Sequence, residues 1–150
     1  MNILSTQPSV FFNASVILSG LRSPSGGSAE ILTWIQDKKI HGIVSETIVD
    51  EAIRNAYKLQ LQPAEVEKRI HKIFFKIYPT PSSTQVKRYE HLVTDAGDAH
   101  VLASCKENSV DWLVTLDKKH LLILQNKIKW VKIVTPKELL EYMSKRNKNY

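Results

Sequence analysis

Asn13, Glu51, Asp98 and Asp117 lie far apart in the chain, yet together they carry the oxygen atoms from which a cation site can be built. Asn13 closes the run Val10-Phe11-Phe12, whose β-branched and aromatic residues read as a buried strand. Ser15 follows, with only Ala14 between. A polar side chain at the end of a buried strand needs a partner or a ligand, because burying it unpaired costs roughly 2–7 kcal/mol. In open α/β sheets, ligands sit outside the carboxyl ends of the strands. Asp117 comes at such an end, after Trp112-Leu113-Val114-Thr115; Asp98 opens a helix, and Glu51 lies on a helix that follows a strand. Carboxylates and an amide oxygen gathered at one edge would repel one another unless a cation sat between them. Hard oxygen donors of this kind suit Mg²⁺ or Mn²⁺, and such an ion can activate water and stabilise charge on a phosphodiester.

Each acid also has an ordinary explanation. Asp98 near a helix start answers the helix dipole, an effect of about 0.3–1 kcal/mol. Asp95 and Asp98 can form a capping arrangement, Asp117 can cap the segment after Thr115, and Glu51 can be a solvated helix charge. Capping does not require all of them at one sheet edge, so the set argues for a site more strongly than any member does. His41, His71, His91, His100 and His120 share no metal-ligand spacing, and the single Cys105 cannot complete a zinc site. Ser25-Gly26-Gly27 lacks the Lys-Ser/Thr that follows a phosphate-binding loop.

Positioning these groups falls to alternating strands and helices. After Val10 to Phe12 comes a loop over 21–27, rich in Ser, Gly and Pro. Ser28 is the expected N-cap of a helix to about Lys39, with Ile31, Leu32 and Ile35 on one face. His41-Gly42 reads as the stop of that helix, and Ile43-Val44 as a very short strand. Ser45 caps a helix from Glu46 to Leu59, in which Glu51 borders the apolar stripe of Ile48, Ala52, Ala56 and Leu59. Pro63 suits the first turn of a helix to about Phe75. Ile77-Tyr78 is a strand, 84–93 a short helix, 98–108 a helix and 112–115 a strand. A short helical piece covers 118–124, the last strand 131–134, and Pro136 opens a final helix with Leu139, Leu140 and Met143 inward. This alternation predicts a mostly parallel sheet covered on both faces, in a single domain over 1–150.

The totals narrow the class. A chain of 150 residues, 43% hydrophobic, suits one folded core and excludes a disordered chain. No apolar run reaches the roughly 20 residues of a membrane span, and no basic region followed by an apolar run marks a signal peptide. With one cysteine there is no internal disulfide framework, and a cytoplasmic location is the simplest reading. The net charge of +6 favours an anionic partner such as RNA or DNA. Lys68, Arg69, Lys72 and Lys76 on the 64–75 helix and its end, and Lys145, Arg146 and Lys148 in a basic tail over 144–150, are candidates for phosphate contact. An ordinary solvated face explains them equally well.

The run Val10 to Ser19, the Ser-Pro-Ser-Gly-Gly-Ser loop at 23–28, Val44-Ser45 with Glu51 beyond, Asp98-Ala99-His100-Val101-Leu102-Ala103, and Leu113-Val114-Thr115-Leu116-Asp117 together resemble the PIN domain family. The resemblance spans about residues 8–141, and it lies in the order and spacing of these segments rather than in any one of them. It implies a three-layer α/β/α fold with a mostly parallel central sheet and a Mg²⁺- or Mn²⁺-dependent ribonuclease site. The family acids carry over as Glu51, Asp98 and Asp117, with Ser15 and Thr115 as supporting hydroxyls and Asp95 as an auxiliary acid. Many single-domain members are toxins of toxin–antitoxin pairs, which implies RNA as substrate, an antitoxin as partner and often a homodimer.

The chain departs from the pattern at Asn13, where the family has Asp. An amide keeps an oxygen but removes a full negative charge, so metal affinity falls and activity weakens or disappears. The competing expectation is therefore a PIN-like module that binds RNA or protein without cutting. A receiver domain is disfavoured because no strand-end Asp has a convincing Lys partner, and a Rossmann domain because its glycine fingerprint is absent.

Overall fold

The computed structural model describes residues 7–148, with side chains up to 145; 1–6, 149–150 and the side chain of Arg146 lie outside the described residues. The elements in order are β1 (Ser9–Phe12), α1 (Ala14–Arg22), α2 (Gly27–Gln36), β2 (His41–Ser45), α3 (Glu46–Asn55), α4 (Pro63–Ile73) and β3 (Ile77–Tyr78). Then follow α5 (Ser83–Lys87), α6 (Ala99–Glu107), β4 (Trp112–Val114), β5 (Lys132–Val134) and α7 (Pro136–Lys148). The strands form one sheet in the order β3-β2-β1-β4-β5, and every pairing is parallel. This is the expected three-layer α/β/α arrangement.

Parallel pairing explains the composition of the central strands. Each parallel connection needs a crossover, and the crossover helices cover the sheet. Val10, Phe11, Phe12, Leu113 and Val114 are accordingly sealed from solvent. Phe11 sits in register between Ile43 on one side and Leu113 on the other. Phe12 meets Phe74, at the end of α4, edge to face, with ring centroids 5.4 Å apart. α1 to α4 pack among themselves, with α7 against α2, while α5 packs on α6.

Strand order reverses between β1 and β4, where chains leave the sheet in opposite directions and open a crevice at the carboxyl edge. Helices in parallel crossovers run back against the strands, so the amino terminus of α6 comes to this same edge.

Several local expectations change. His41-Gly42 does not stop a helix; both residues belong to β2, which is five residues long. The helix ends earlier, at Gln36, where Lys38 takes the left-handed backbone conformation (φ 60°) usually left to glycine. Gly42 answers a packing demand instead: a Cβ there would lie 2.5 Å from Cδ1 of Ile35 on α2. Ser28 is not the cap of α2, because the helix already begins at Gly27 with Gly26 as its cap. The helix predicted to Leu59 ends at Asn55 and tightens into a 3₁₀ turn over Ala56–Leu59. The 84–93 and 118–124 pieces shrink to α5 with a 3₁₀ turn at Glu90–Leu92, and to a 3₁₀ turn at Leu122–Leu124. α5 and the turn at Glu90–Leu92 bury no residue and the turn at Leu122–Leu124 buries only Leu124, so neither piece has the apolar stripe that sustains a longer helix.

Candidate active site

At the end of β1, the backbone N–H of Asn13 donates to the carbonyl of Val114 at 3.1 Å, which locks the strand end against β4. Its side chain caps α1: Oδ1 accepts from the Ser15 N–H at 3.3 Å and from Ser15 Oγ at 3.0 Å. Ser15 Oγ in turn accepts from the N–H of Leu116 at 3.2 Å, so one hydroxyl joins the start of α1 to the loop after β4. Thr115, fully buried, accepts the Asp117 N–H on its Oγ1 at 3.1 Å. Both hydroxyls named from the sequence therefore hold the loop that carries Asp117.

The acids arrive from three directions. Asp117 follows β4, and its Oδ1 accepts the His120 N–H at 3.0 Å. The capping explanation for Asp117 thus holds in part. Asp98 sits at the start of α6 but makes no capping bond through its side chain; the capping bond is made by Asp95 at the preceding 3₁₀ turn, Ala96–Asp98, where its Oδ1 accepts from Gly97 N–H at 2.9 Å. Glu51, on α3, is held from α6 by His100, with Nε2 2.8 Å from Oε1. His120 Nδ1 lies 3.2 Å from Asp117 Oδ2 and 3.9 Å from Asp98 Oδ2.

Electrostatics ties the group together. The Asp98 carboxyl holds its proton more tightly than an ordinary aspartate, first because burial disfavours the charge and second because Asp117 is close. His120 opposes the shift, while Asp95 and Glu51 add to it. Asp98 thus feels all the other acids singled out from the sequence. A site whose own charges push one carboxyl toward protonation is relieved by a cation. The donors are carboxylate oxygens with an imidazole nitrogen alongside, a set that fits a divalent metal ion. Ligand atoms of Asp95, Asp98 and His120 lie within 4.8 Å of one another.

The profile of the PIN domain family matches residues 9–119. The chain belongs to the PIN domain family. A crystal structure of the protein PAE2754 from Pyrobaculum aerophilum is similar in fold, with a TM-score of 0.61 and 19% sequence identity over 95% of this chain and 96% of that one. A comparison with curated proteins returns no match. PIN domains are generally metal-dependent nucleases, and this chain has the donor chemistry such an ion needs. No helix among the described residues is long and apolar enough to cross a membrane.

The basic residues singled out from the sequence lie in different settings. Arg69 donates to the carbonyl of Leu21 at 3.2 Å and serves the packing of α4 on α1. Lys76 lies over the Tyr78 ring, 4.7 Å from its centroid. Lys68, Lys72 and Lys145 are exposed. A cavity of about 490 Å³ beside the acids is lined instead by Arg22 and Lys58, together with Asn13, Ser15, Glu51 and Leu116. Arg22 is fixed there by a 3.2 Å bond to the Leu59 carbonyl.

Sequence reasoning missed His100, His120, Arg22 and Lys58. The five histidines share no spacing among themselves, and the partners of these two are acids, Glu51 and Asp117. Their signal was local: His100 stands two residues after Asp98 and His120 three after Asp117. Cys105 is fully buried in α6, and burial pushes its thiol up, which fits a core residue and not a nucleophile.

Proposed function

We propose that this PIN domain is a metal-dependent endoribonuclease, with Asp98, Asp117 and Glu51 as its acids and Asn13 standing where the family has Asp. The observation that carries the reading is geometric: Asp98 and Asp117, from different elements, meet on His120 Nδ1 at 3.9 and 3.2 Å, and a ligand atom of Asp95 lies within 4.8 Å of those of Asp98 and His120. A bound Mg²⁺ or Mn²⁺ supplies Lewis acidity for phosphodiester hydrolysis, leaving a 3′-hydroxyl and a 5′-phosphate. The chain's own groups do the rest. His100 holds Glu51 in place, Ser15 and Thr115 hold the Asp117 loop, and Arg22 and Lys58 meet the RNA backbone beside the acids. The basic chain, working in the cytoplasm, is the toxin of a toxin–antitoxin pair, with a protein antitoxin as partner and a second copy as a further one.

Asn13 supports the alternative of a silent RNA- or protein-binding module. Its oxygen is committed to Ser15 and it brings no charge. The experiment that separates the readings is RNA cleavage in Mg²⁺ and Mn²⁺, with and without EDTA, by this chain, by Asn13→Asp and by Asn13→Asp with Asp98→Asn. Cleavage by Asn13→Asp that Asp98→Asn abolishes supports the site. Cleavage unchanged by Asp98→Asn overturns it, and no cleavage by any form on varied RNAs favours the binding module.

A further inference from the structure

We propose that His120 is a nitrogen ligand of the metal centre, so that the site prefers Mn²⁺ over Mg²⁺. The inference rests on reading the acids as a metal site and adds a ligand of a different kind. Three observations carry it. First, Nδ1 of His120 stands between two acids that arrive from different elements, 3.2 Å from Asp117 Oδ2 and 3.9 Å from Asp98 Oδ2. Second, its donor atom and those of Asp95 and Asp98 fall within 4.8 Å of one another. A first-row divalent ion with bonds of about 2.0–2.2 Å holds opposite ligands about 4.0–4.4 Å apart, so adjustments of a few tenths of an ångström suffice. Third, the residue is placed by the backbone: the main-chain N–H of His120 donates to Asp117 Oδ1 at 3.0 Å, and the side chain, 37% exposed, keeps room to adjust.

The chemistry of Asn13 explains why such a ligand matters. With Asn13 contributing no charge and its oxygen engaged by Ser15, the centre is short of one strong donor. An imidazole supplies one without adding to the repulsion among Asp98, Asp117 and Glu51. It also alters selectivity. Mg²⁺ is served by oxygen donors and water, whereas a nitrogen ligand suits transition ions, among which Mn²⁺ is the one that also accepts the carboxylate oxygens making up the rest of this site.

The test measures binding without turnover. Mn²⁺ is added to the full chain and followed by electron paramagnetic resonance, with Mg²⁺ as competitor, for the wild type, His120→Ala, His120→Asn and Asp98→Asn; circular dichroism checks the fold of each. Loss of even an outer partner of a metal ligand weakens binding about 10–100-fold. His120→Ala is therefore expected to weaken Mn²⁺ by at least about tenfold and Mg²⁺ by less, and to erase nitrogen hyperfine coupling in the bound Mn²⁺ spectrum. His120→Asn, which retains a polar side chain on the same turn, behaves the same way. Mn²⁺ bound with equal affinity and an unchanged spectrum in both His120 variants, yet lost in Asp98→Asn, overturns the ligand role and leaves the metal site standing. No Mn²⁺ binding by the wild type overturns the metal-site reading itself.

Discussion

Replacing Asp98 with Asn is expected to stabilise the metal-free protein and to destabilise the metal-bound one. Asp98 and Asp117 flank the same His120 nitrogen at 3.9 and 3.2 Å, so their oxygens are at most about 7 Å apart. At that distance two charges repel by about 0.6 kcal/mol in bulk water and about 2.4 kcal/mol at an effective dielectric of 20. Both side chains are partly exposed, at 21% and 28%, which places the effect nearer the middle of that range. Attraction to His120 subtracts from it, while Asp95 and Glu51 add to it. A net of about 1 kcal/mol follows, or about 2–4 °C in Tm for a chain of this size. Asn keeps the helix start intact, because Asp98 makes no capping bond that the substitution would remove.

The sign with pH is fixed by the same shift. The Asp98 carboxyl binds a proton more tightly in the folded chain than in the unfolded one. Its ionised form therefore detracts from stability above the folded value, and the penalty vanishes below the unfolded value of about 3.9. The advantage of Asp98→Asn should be full at neutral pH and fade as pH falls through that window. With Mn²⁺ the order reverses: at a concentration 100 times its Kd, an ion stabilises the wild type by about 2.7 kcal/mol, most of which Asp98→Asn forgoes. Thermal unfolding in EDTA and in Mn²⁺, at neutral and at acid pH, measures all of this. A variant less stable than the wild type in EDTA by 1 kcal/mol or more, on the scale of about 1 kcal/mol expected from like-charge repulsion, would falsify the repulsion argument.

Ser15→Ala removes a hydroxyl that donates to Asn13 and accepts from Leu116. It should lower stability by about 1–2 kcal/mol in urea unfolding, and a loss near zero would show that the hydroxyl does not tie α1 to the β4 loop. His100 and Glu51 should show a coupling of at least about 0.5 kcal/mol in a double-mutant cycle of His100→Ala and Glu51→Gln, with strict additivity counting against the 2.8 Å pair. In RNA binding, Arg22→Ala and Lys58→Ala should each reduce the salt dependence of log Kd by a slope of about 0.7, the contribution of one phosphate contact on a single strand. Lys145→Ala should leave that slope unchanged, since Lys145 lies outside the cavity that Arg22 and Lys58 share with Glu51. Cys105 should resist thiol reagents until the protein unfolds, since it is fully buried with its thiol pushed up.

Elements whose signal is local were legible from residue types alone. The apolar run at Val10 to Phe12, the Ser45 cap, Pro63 in the first helical turn and the β-branched stretch ending at Val134 all fold as their patterns indicate. Where a local signal had two meanings, packing chose. Gly42 looked like a helix stop and is instead the flat spot on β2 against which Ile35 rests. Ser28 has the residue type of a helix cap, but Gly26 takes that place because α2 already begins at Gly27.

The sequence by itself determined the alternation of strand and helix, hence the parallel sheet, because periodicity and caps depend on neighbours a few residues away. It also placed the acids after strand ends or at a helix start, which a parallel sheet turns into one edge. Only the tertiary structure decided which side chains share that edge. His100 reaches Glu51 across 49 positions, and Leu116 reaches Ser15 across 101. Such pairs depend on how crossover helices pack over the sheet, and no local pattern encodes a distance set by the whole core.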